Sequence, residues 1–391
     1  MKEARFYDRL DAKRVQCRLC PHDCIIPNAG RGVCAVRYNS QGTLFTLVAD
    51  RIVSRSLDPI EKKPLFHVYP GSTAYSIATV GCSLRCEFCQ NWEISQWPRE
   101  RLPKHLEPGE AVSADGTPLC PQLARLGDRV PGEPVTPAQI VRAAQAAGAR
   151  SIAYTYTEPT IFYELAYGTA CLAREAGLIN IFVTNGYINA APQRELAGVL
   201  DAANVDLKFF RDESYRHISR VRLQPVLDAI GRYHALGVWV EVTTLVIPGV
   251  NDSDEELRDI ARFIHSVSPD IPWHVSRFHG AYHMADVMPT SSATLRRAAG
   301  IGLAVGLRYV YVGNLPGDGG EDTHCPGCGA QLIRRHGFQL LENRVRHGTC
   351  PDCGTPVAGI GLGRAEERAS TPMHQSSASG SNPSQNGLDL Q

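Results

Sequence analysis

Residues 74–95 read AYSIATVGCSLRCEFCQNWEIS: a short β-rich run, a glycine, then Cys82, Cys86 and Cys89 in C-x3-C-x2-C spacing with no fourth cysteine nearby. A loop that gathers three thiolates directly after a strand is a reactive feature. A closed structural metal site recruits four protein ligands, whereas three leave a coordination position for something else. In a cubane iron–sulfur cluster three cysteines hold three of the four irons, and the fourth stays open to a non-protein ligand.

The chain beyond this loop repeats one pattern. SIAYTY (151–156), LINIFV (178–183), ANVDL (203–207), VWVEVTTLV (238–246) and IPWHVS (271–276) are further β-rich runs, with amphipathic helical segments between them. Thr136-Pro137 and Ser253 with Glu256 three residues on are helix starts, and Gly177 and Gly237 are helix stops. Six βα units demand crossover connections, hence a parallel sheet covered by helices. The expected fold is therefore α/β, an open partial (β/α)6 barrel, with its chemistry on the loops after the strand C-termini. The cysteine loop follows the first of those strands.

The 391 residues allow accessory modules beside such a core. The expected division is a Cys-rich cap over 1–60, the barrel over 61–320, a zinc-ribbon-like module over 321–363, and a disordered Ser-rich tail over 364–391. Residues 98–135 are Pro/Gly-rich and read as an insertion into the barrel. Forty basic and forty acidic side chains give a formal net charge of zero, so no global field favours nucleic acid or a membrane surface. No apolar run approaches a membrane span, and the chain is expected to be cytoplasmic.

Thirteen cysteines include eleven in three tight groups, with only Cys120 and Cys171 apart, a distribution that suits metals in a reducing compartment. CPGCG and CPDCG supply Cys325, Cys328, Cys350 and Cys353, a pair of glycine-supported knuckles expected to close around one structural zinc. CRLCPHDCIIPNAGRGVC supplies Cys17, Cys20, Cys24 and Cys34. Spacing alone leaves zinc or a second iron–sulfur cluster open there, and a single structural metal is the preferred expectation.

The order of CRLCPHDC, GRGVCAVR, GCSLRCEFCQNWEIS, YTYTEPTIF (154–162), VDLKFF (205–210), TTLVIPGVND (243–252) and the knuckle pair resembles the radical S-adenosylmethionine (SAM) enzymes of the AmmeMemoRadiSam system. That family is similar to pyruvate formate-lyase activating enzymes. The resemblance, over about residues 15–360, implies a [4Fe-4S] cluster on Cys82, Cys86 and Cys89. SAM would be chelated at the open iron and cleaved reductively to a 5′-deoxyadenosyl radical, which takes hydrogen from substrate. It implies cosubstrate contacts from Glu158, Thr184, Asn185, Asp206, Lys208, Thr243 and His274. It also implies a low-potential electron donor and a protein or peptide substrate. A radical enzyme acting on a small metabolite, or a non-catalytic zinc-knuckle binding module, are the competing readings.

Overall fold

The computed structural model describes residues 1–102, 111–112, 118–119, 127–315, 317 and 319–363. The expected disordered tail and most of the 98–135 insertion, Cys120 included, lie outside the described residues.

One eight-stranded sheet organises the chain. Its strands are β1 (Ser54–Pro59), β2 (Thr73–Ala78), β3 (Ser151–Tyr154), β4 (Ile179–Thr184), β5 (Ala202–Asp206), β6 (Trp239–Val246), β7 (Trp273–Arg277) and β8 (Val310–Gly313), neighbours in that order. β2 to β8 run parallel, and β1 pairs antiparallel with β2. The sheet has two edges, so the barrel is open, as expected. The six β-rich runs are β2 to β7; the two edge strands were not anticipated. β1 reads SRSLDP, with Arg55 and Leu57 exposed and Asp58 buried, and β8 has only four residues, so neither shows the continuous apolar run of a doubly covered strand.

Among the described residues, each successive pair of parallel strands is joined through one longer helix: α1 (Pro137–Ala146), α2 (Tyr163–Glu175), α3 (Ala190–Ala197), α4 (Gln224–Ala235), α5 (Asp254–Val267) and α6 (Ser292–Val305). Thr136 caps α1 in a reciprocal capping box with Gln139. Ser253 accepts from the Glu256 amide at the start of α5, but the Glu256 carboxylate turns inward to accept from Phe210 N at 2.7 Å, tying α5 to the loop after β5. α5 buries Leu257, Ile260, Ala261 and Ile264, the i, i+3, i+4, i+7 stripe, and each buried Leu or Ile contributes roughly 1.5–3 kcal/mol. Leu257→Ala would remove about 2–5 kcal/mol of that packing.

The cap is a β structure rather than an irregular segment. Lys2–Glu3, Thr43–Thr46 and Arg37–Ser40 form one three-stranded sheet, and Tyr7–Arg9, Val15–Cys17 and Ile25–Ile26 another. Their strands are two to four residues long, too short for a period-2 pattern to register in the sequence. The cap is fixed to the barrel by Arg37, whose buried guanidinium reaches both Glu164 carboxylate oxygens on α2 at 2.9 Å.

The C-terminal module, with strands Thr323–His324, Gln331–His336 and Gln339–Asn343, packs at the other end of the barrel. Buried Arg335 donates to the Phe66 carbonyl at 2.8 Å, and His67 Nδ1 donates to the Ala358 carbonyl at 2.6 Å. The Phe66 and His67 amides in turn donate to the Glu241 carboxylate, at 3.0 and 2.8 Å. Glu241 lies near the start of β6, so the module closes the base of the barrel, away from the strand ends.

Candidate active site

Gly81 makes the cysteine loop possible. Its φ is +100°, and a Cβ there would stand 2.8 Å from Val36 Cγ1 and 3.2 Å from the Cys34 carbonyl, so only glycine lets the backbone leave β2 at this angle and this close to the cap. The loop is then pinned from a distance: Arg85 N donates to the Ser219 carbonyl and Glu87 N to the Ile218 carbonyl, both at 3.1 Å. Arg99 ties it to the cap, donating to the Cys82, Leu84 and Val33 carbonyls at 2.5, 3.0 and 2.9 Å.

Cys82, Cys86 and Cys89 all line a cleft of about 540 Å³ at the C-terminal ends of the strands. Their three sulfurs do not come within 4.8 Å of one another; among the described residues only the C-terminal set does. In a polynuclear cluster each thiolate stands on its own iron, so three ligating sulfurs need not approach to single-ion spacing. Each sulfur also has a hydrogen bond: Cys82 accepts from Leu84 N at 3.4 Å and Asn185 Nδ2 at 3.7 Å, while Cys86 and Cys89 share bonds of 3.2 Å with the Ser219 and Ser95 hydroxyls. Burial pushes the Cys86 thiol up to about 11 and the Cys82 thiol higher still. Deprotonated, these sulfurs therefore require a cationic partner, as metal ligation supplies.

The residues expected to contact the cosubstrate divide into two groups. Glu158, Thr184, Asn185, Asp206, Lys208 and Thr243 all line the cleft beside the cysteines. His274 does not. On β7 it points inside the barrel one layer below cleft-lining Ser276, its Nε2 is 2.7 Å from Glu241, and its ring stacks on Tyr311. The period of two places it on the inward face as expected, but two residues too deep, where Glu241 and the base of the barrel occupy it.

Glu158 is buried, which raises its pKa despite the bonds it accepts. Oε1 takes Thr160 N at 2.9 Å and Thr184 Oγ1 at 2.8 Å; Oε2 takes Asn185 N at 2.8 Å. One lone-pair direction on Oε2 remains. The carboxylate thus fixes the turn after β4 and aims Asn185 at Ser83 Oγ, 3.2 Å away, and at Cys82. Burial pulls the Lys208 ammonium down, but Asp206 at 2.8 Å and the Cys86 thiol outweigh it, so Lys208 is held above the ordinary lysine range and stays charged. Thr243 Oγ1 donates to Asn204 Oδ1 at 3.0 Å; its neighbour Thr244 points outward and accepts from Trp273 Nε1 at 3.0 Å.

Sequence reasoning missed several contributors. Asp58 sits under the cleft wall, accepting from Lys63 at 2.6 Å, Lys62 at 2.9 Å, Ser76 Oγ at 2.8 Å and the Tyr156 hydroxyl. Tyr156 adopts φ +62° and its carbonyl accepts from Asn91 Nδ2 at 2.7 Å, joining the loops after β2 and β3. Ser219 lies 130 residues beyond the cysteines in an irregular turn, Tyr215–Ser219, and carries no sequence signal.

At the opposite end, Cys325, Cys328, Cys350 and Cys353 bring all four sulfurs within 4.8 Å, with Cys325–Cys353 and Cys328–Cys350 at 3.5 and 3.8 Å. Thiolates 2.3 Å from a tetrahedral ion would stand ~3.8 Å apart, so this set suits one ion with no open position.

Parts of the chain are similar to known proteins. The profile of the Radical SAM superfamily matches residues 76–264. An uncharacterized protein of Methanocaldococcus jannaschii is 40% identical over 360 residues, covering 91% of this chain and 99% of its own length. Among solved structures, a domain of a pyruvate-formate lyase-activating enzyme from Bacteroides vulgatus aligns over 42% of this chain and 99% of that one, with 16% identity and a TM-score of 0.36. A radical SAM methyltransferase from Sphaerobacter thermophilus aligns over 62% and 67%, with 19% identity and a TM-score of 0.44. Among the described residues no helix is long and apolar enough to cross a membrane.

Proposed function

We propose that this chain, whose residues 76–264 match the Radical SAM superfamily, is an activating-type enzyme that removes a hydrogen atom from a partner polypeptide. The observation that carries this reading is the trio of hydrogen-bonded thiols lining one cleft with Lys208, Asp206 and Glu158. A [4Fe-4S] cluster held by Cys82, Cys86 and Cys89 would supply the single electron that cleaves SAM and yields a carbon radical able to abstract hydrogen.

The chain's own groups do the rest. Lys208 has one of its three N–H donors committed to Asp206 and would offer the others to the cosubstrate carboxylate, while the remaining lone pair of Glu158 would accept from its ammonium. Thr243 lines the same cleft, and its hydroxyl oxygen, whose proton goes to Asn204, would accept from a ribose hydroxyl. The Leu84 amide, Asn185, Ser219 and Ser95 stabilise negative charge on the sulfurs. The stacked pair Trp92 and Tyr282, with exposed His279 and His283 beside it, forms a rim that a peptide could lie across. Zinc is the proposed ion of the C-terminal set.

Incubating reduced, reconstituted enzyme with SAM and assaying 5′-deoxyadenosine tests the chemistry; Cys82→Ala should abolish it. Mass analysis of co-purified polypeptides tests the substrate class. A reproducible modification on one polypeptide supports the reading, and product formation coupled only to a small molecule would replace it.

A further inference from the structure

The cap brings four more thiols together. Cys17, Cys20 and Cys34 are at most 8% exposed, Cys24 is partly buried, and none of the four is in a disulfide. They arise from two turns laced to each other: Cys17 N donates to the Cys24 carbonyl and Asp23 N to the Cys20 carbonyl, both at 3.0 Å, while Val33 N donates to Cys24 Sγ at 3.4 Å. A Cβ on Gly32 would stand 3.6 Å from that same sulfur, so the second turn wraps the thiol closely.

Two observations say what such a nest can hold. No three of the four sulfurs come within 4.8 Å of one another, whereas the C-terminal four are drawn together to single-ion spacing in the same chain. The N-terminal set, like Cys82, Cys86 and Cys89, is not drawn to single-ion spacing, which favours a polynuclear cluster over one zinc. Second, the guanidinium of Arg37 is 1% exposed, its Nε has no hydrogen-bond partner, and its charge is felt by Cys17 and Cys34. That guanidinium is already paired with the Glu164 carboxylate at 2.9 Å, so what it offers the sulfurs beside it is the one N–H donor left without a partner.

From these groups we propose that Cys17, Cys20, Cys24 and Cys34 hold a second, fully cysteine-ligated [4Fe-4S] cluster adjacent to the first. The two sets are separated by little more than backbone. The Cys34 carbonyl lies against Gly81, His22 Nε2 is 2.8 Å from the Ser83 carbonyl, and Arg99 bridges the Val33 and Cys82 carbonyls. An electron taken there from a low-potential one-electron donor protein would lower the second cluster by one charge and restore it on passing to the first, with no bond or proton moved. This relay role, unlike the site itself, rests on the reading of Cys82, Cys86 and Cys89 given above.

The test is metal and sulfide analysis of the full chain reconstituted anaerobically, together with the triple variant Cys82→Ala, Cys86→Ala, Cys89→Ala. The expected result is about eight irons in the wild type and about four in the triple variant, the latter with a reducible cubane signal. Reduced wild type should also show two mutually broadened paramagnetic signals, a readout that needs no variant. A wild type with about four irons and a triple variant with none would overturn the second cluster while leaving the first intact. About four irons in both would support the second and sink the first. Zinc rising to about two per chain with a single unbroadened signal would also overturn it.

Discussion

Lys208 Nζ lies 2.8 Å from Asp206 Oδ2 at the end of β5, and both side chains face the cleft that the three cysteine sulfurs line. The pair holds a permanent ammonium beside Cys86 without neutralising all of its donors.

Lys208→Met should therefore weaken SAM binding and leave the iron content unchanged. Loss of a hydrogen bond to a charged group is worth ~1.5–3 kcal/mol, or about 10- to 100-fold in Kd. Calorimetric titration of SAM into the reconstituted variant checks this; equal affinities would remove Lys208 from the cosubstrate site.

Ser219→Ala and Ser95→Ala each delete a hydrogen bond to a cysteine sulfur. Fewer such bonds destabilise the more negative, reduced state, so the reduction potential should fall in both variants while the cluster remains bound. A redox titration followed by electron paramagnetic resonance reads the shift, and an unchanged potential would contradict the geometry.

His67 is fully buried, with Nδ1–H on the Ala358 carbonyl and Nε2 accepting from the Tyr311 hydroxyl at 2.6 Å. Burial lowers its pKa from 6.5 to about 4. The unfolded chain thus binds the extra proton between those values, and stability falls as pH drops from 6.5 towards 4. Between pH 7 and pH 5 the loss is about 2 kcal/mol from this group. Denaturant midpoints of wild type and His67→Gln should converge over that range, because the variant lacks the titration; parallel curves would show that His67 does not titrate on unfolding.

Removing the ion from the C-terminal four thiols should loosen the barrel base as well as the module. Arg335 to Phe66 and His67 to Ala358 are shared contacts, so hydrogen exchange should rise over 321–363 and 60–71. Residues 81–95, at the other end, should keep their protection. Loss of protection confined to the knuckles would argue that the base stands alone.

The parallel core was legible because β2 to β7 are buried on both faces and announce themselves as apolar runs, and because Thr136 and Ser253 carry cap chemistry that tertiary structure left in place. The edges and the cap were not, since short half-exposed strands such as Ser54–Pro59 and Tyr7–Arg9 carry no period. The cleft residues after β3, β4 and β5 were found because each follows a strand end. His274 also follows a β-rich run, but its depth along β7 is set by where β6 places Glu241, which no local pattern shows. Ser219 and Asp58 were invisible because their partners are supplied by distant loops.

The proposed chemistry turns on Cys82, Cys86 and Cys89 holding a cluster with one iron open to SAM. The most direct measurement is electron–nuclear double resonance on the reduced protein with SAM labelled at its amino nitrogen and carboxylate oxygens. The account predicts that SAM shifts the cubane signal and that both labels couple to it, with coupling lost in the Cys82→Ala, Cys86→Ala, Cys89→Ala variant. A cluster signal indifferent to SAM, with no coupling from either label, would contradict it.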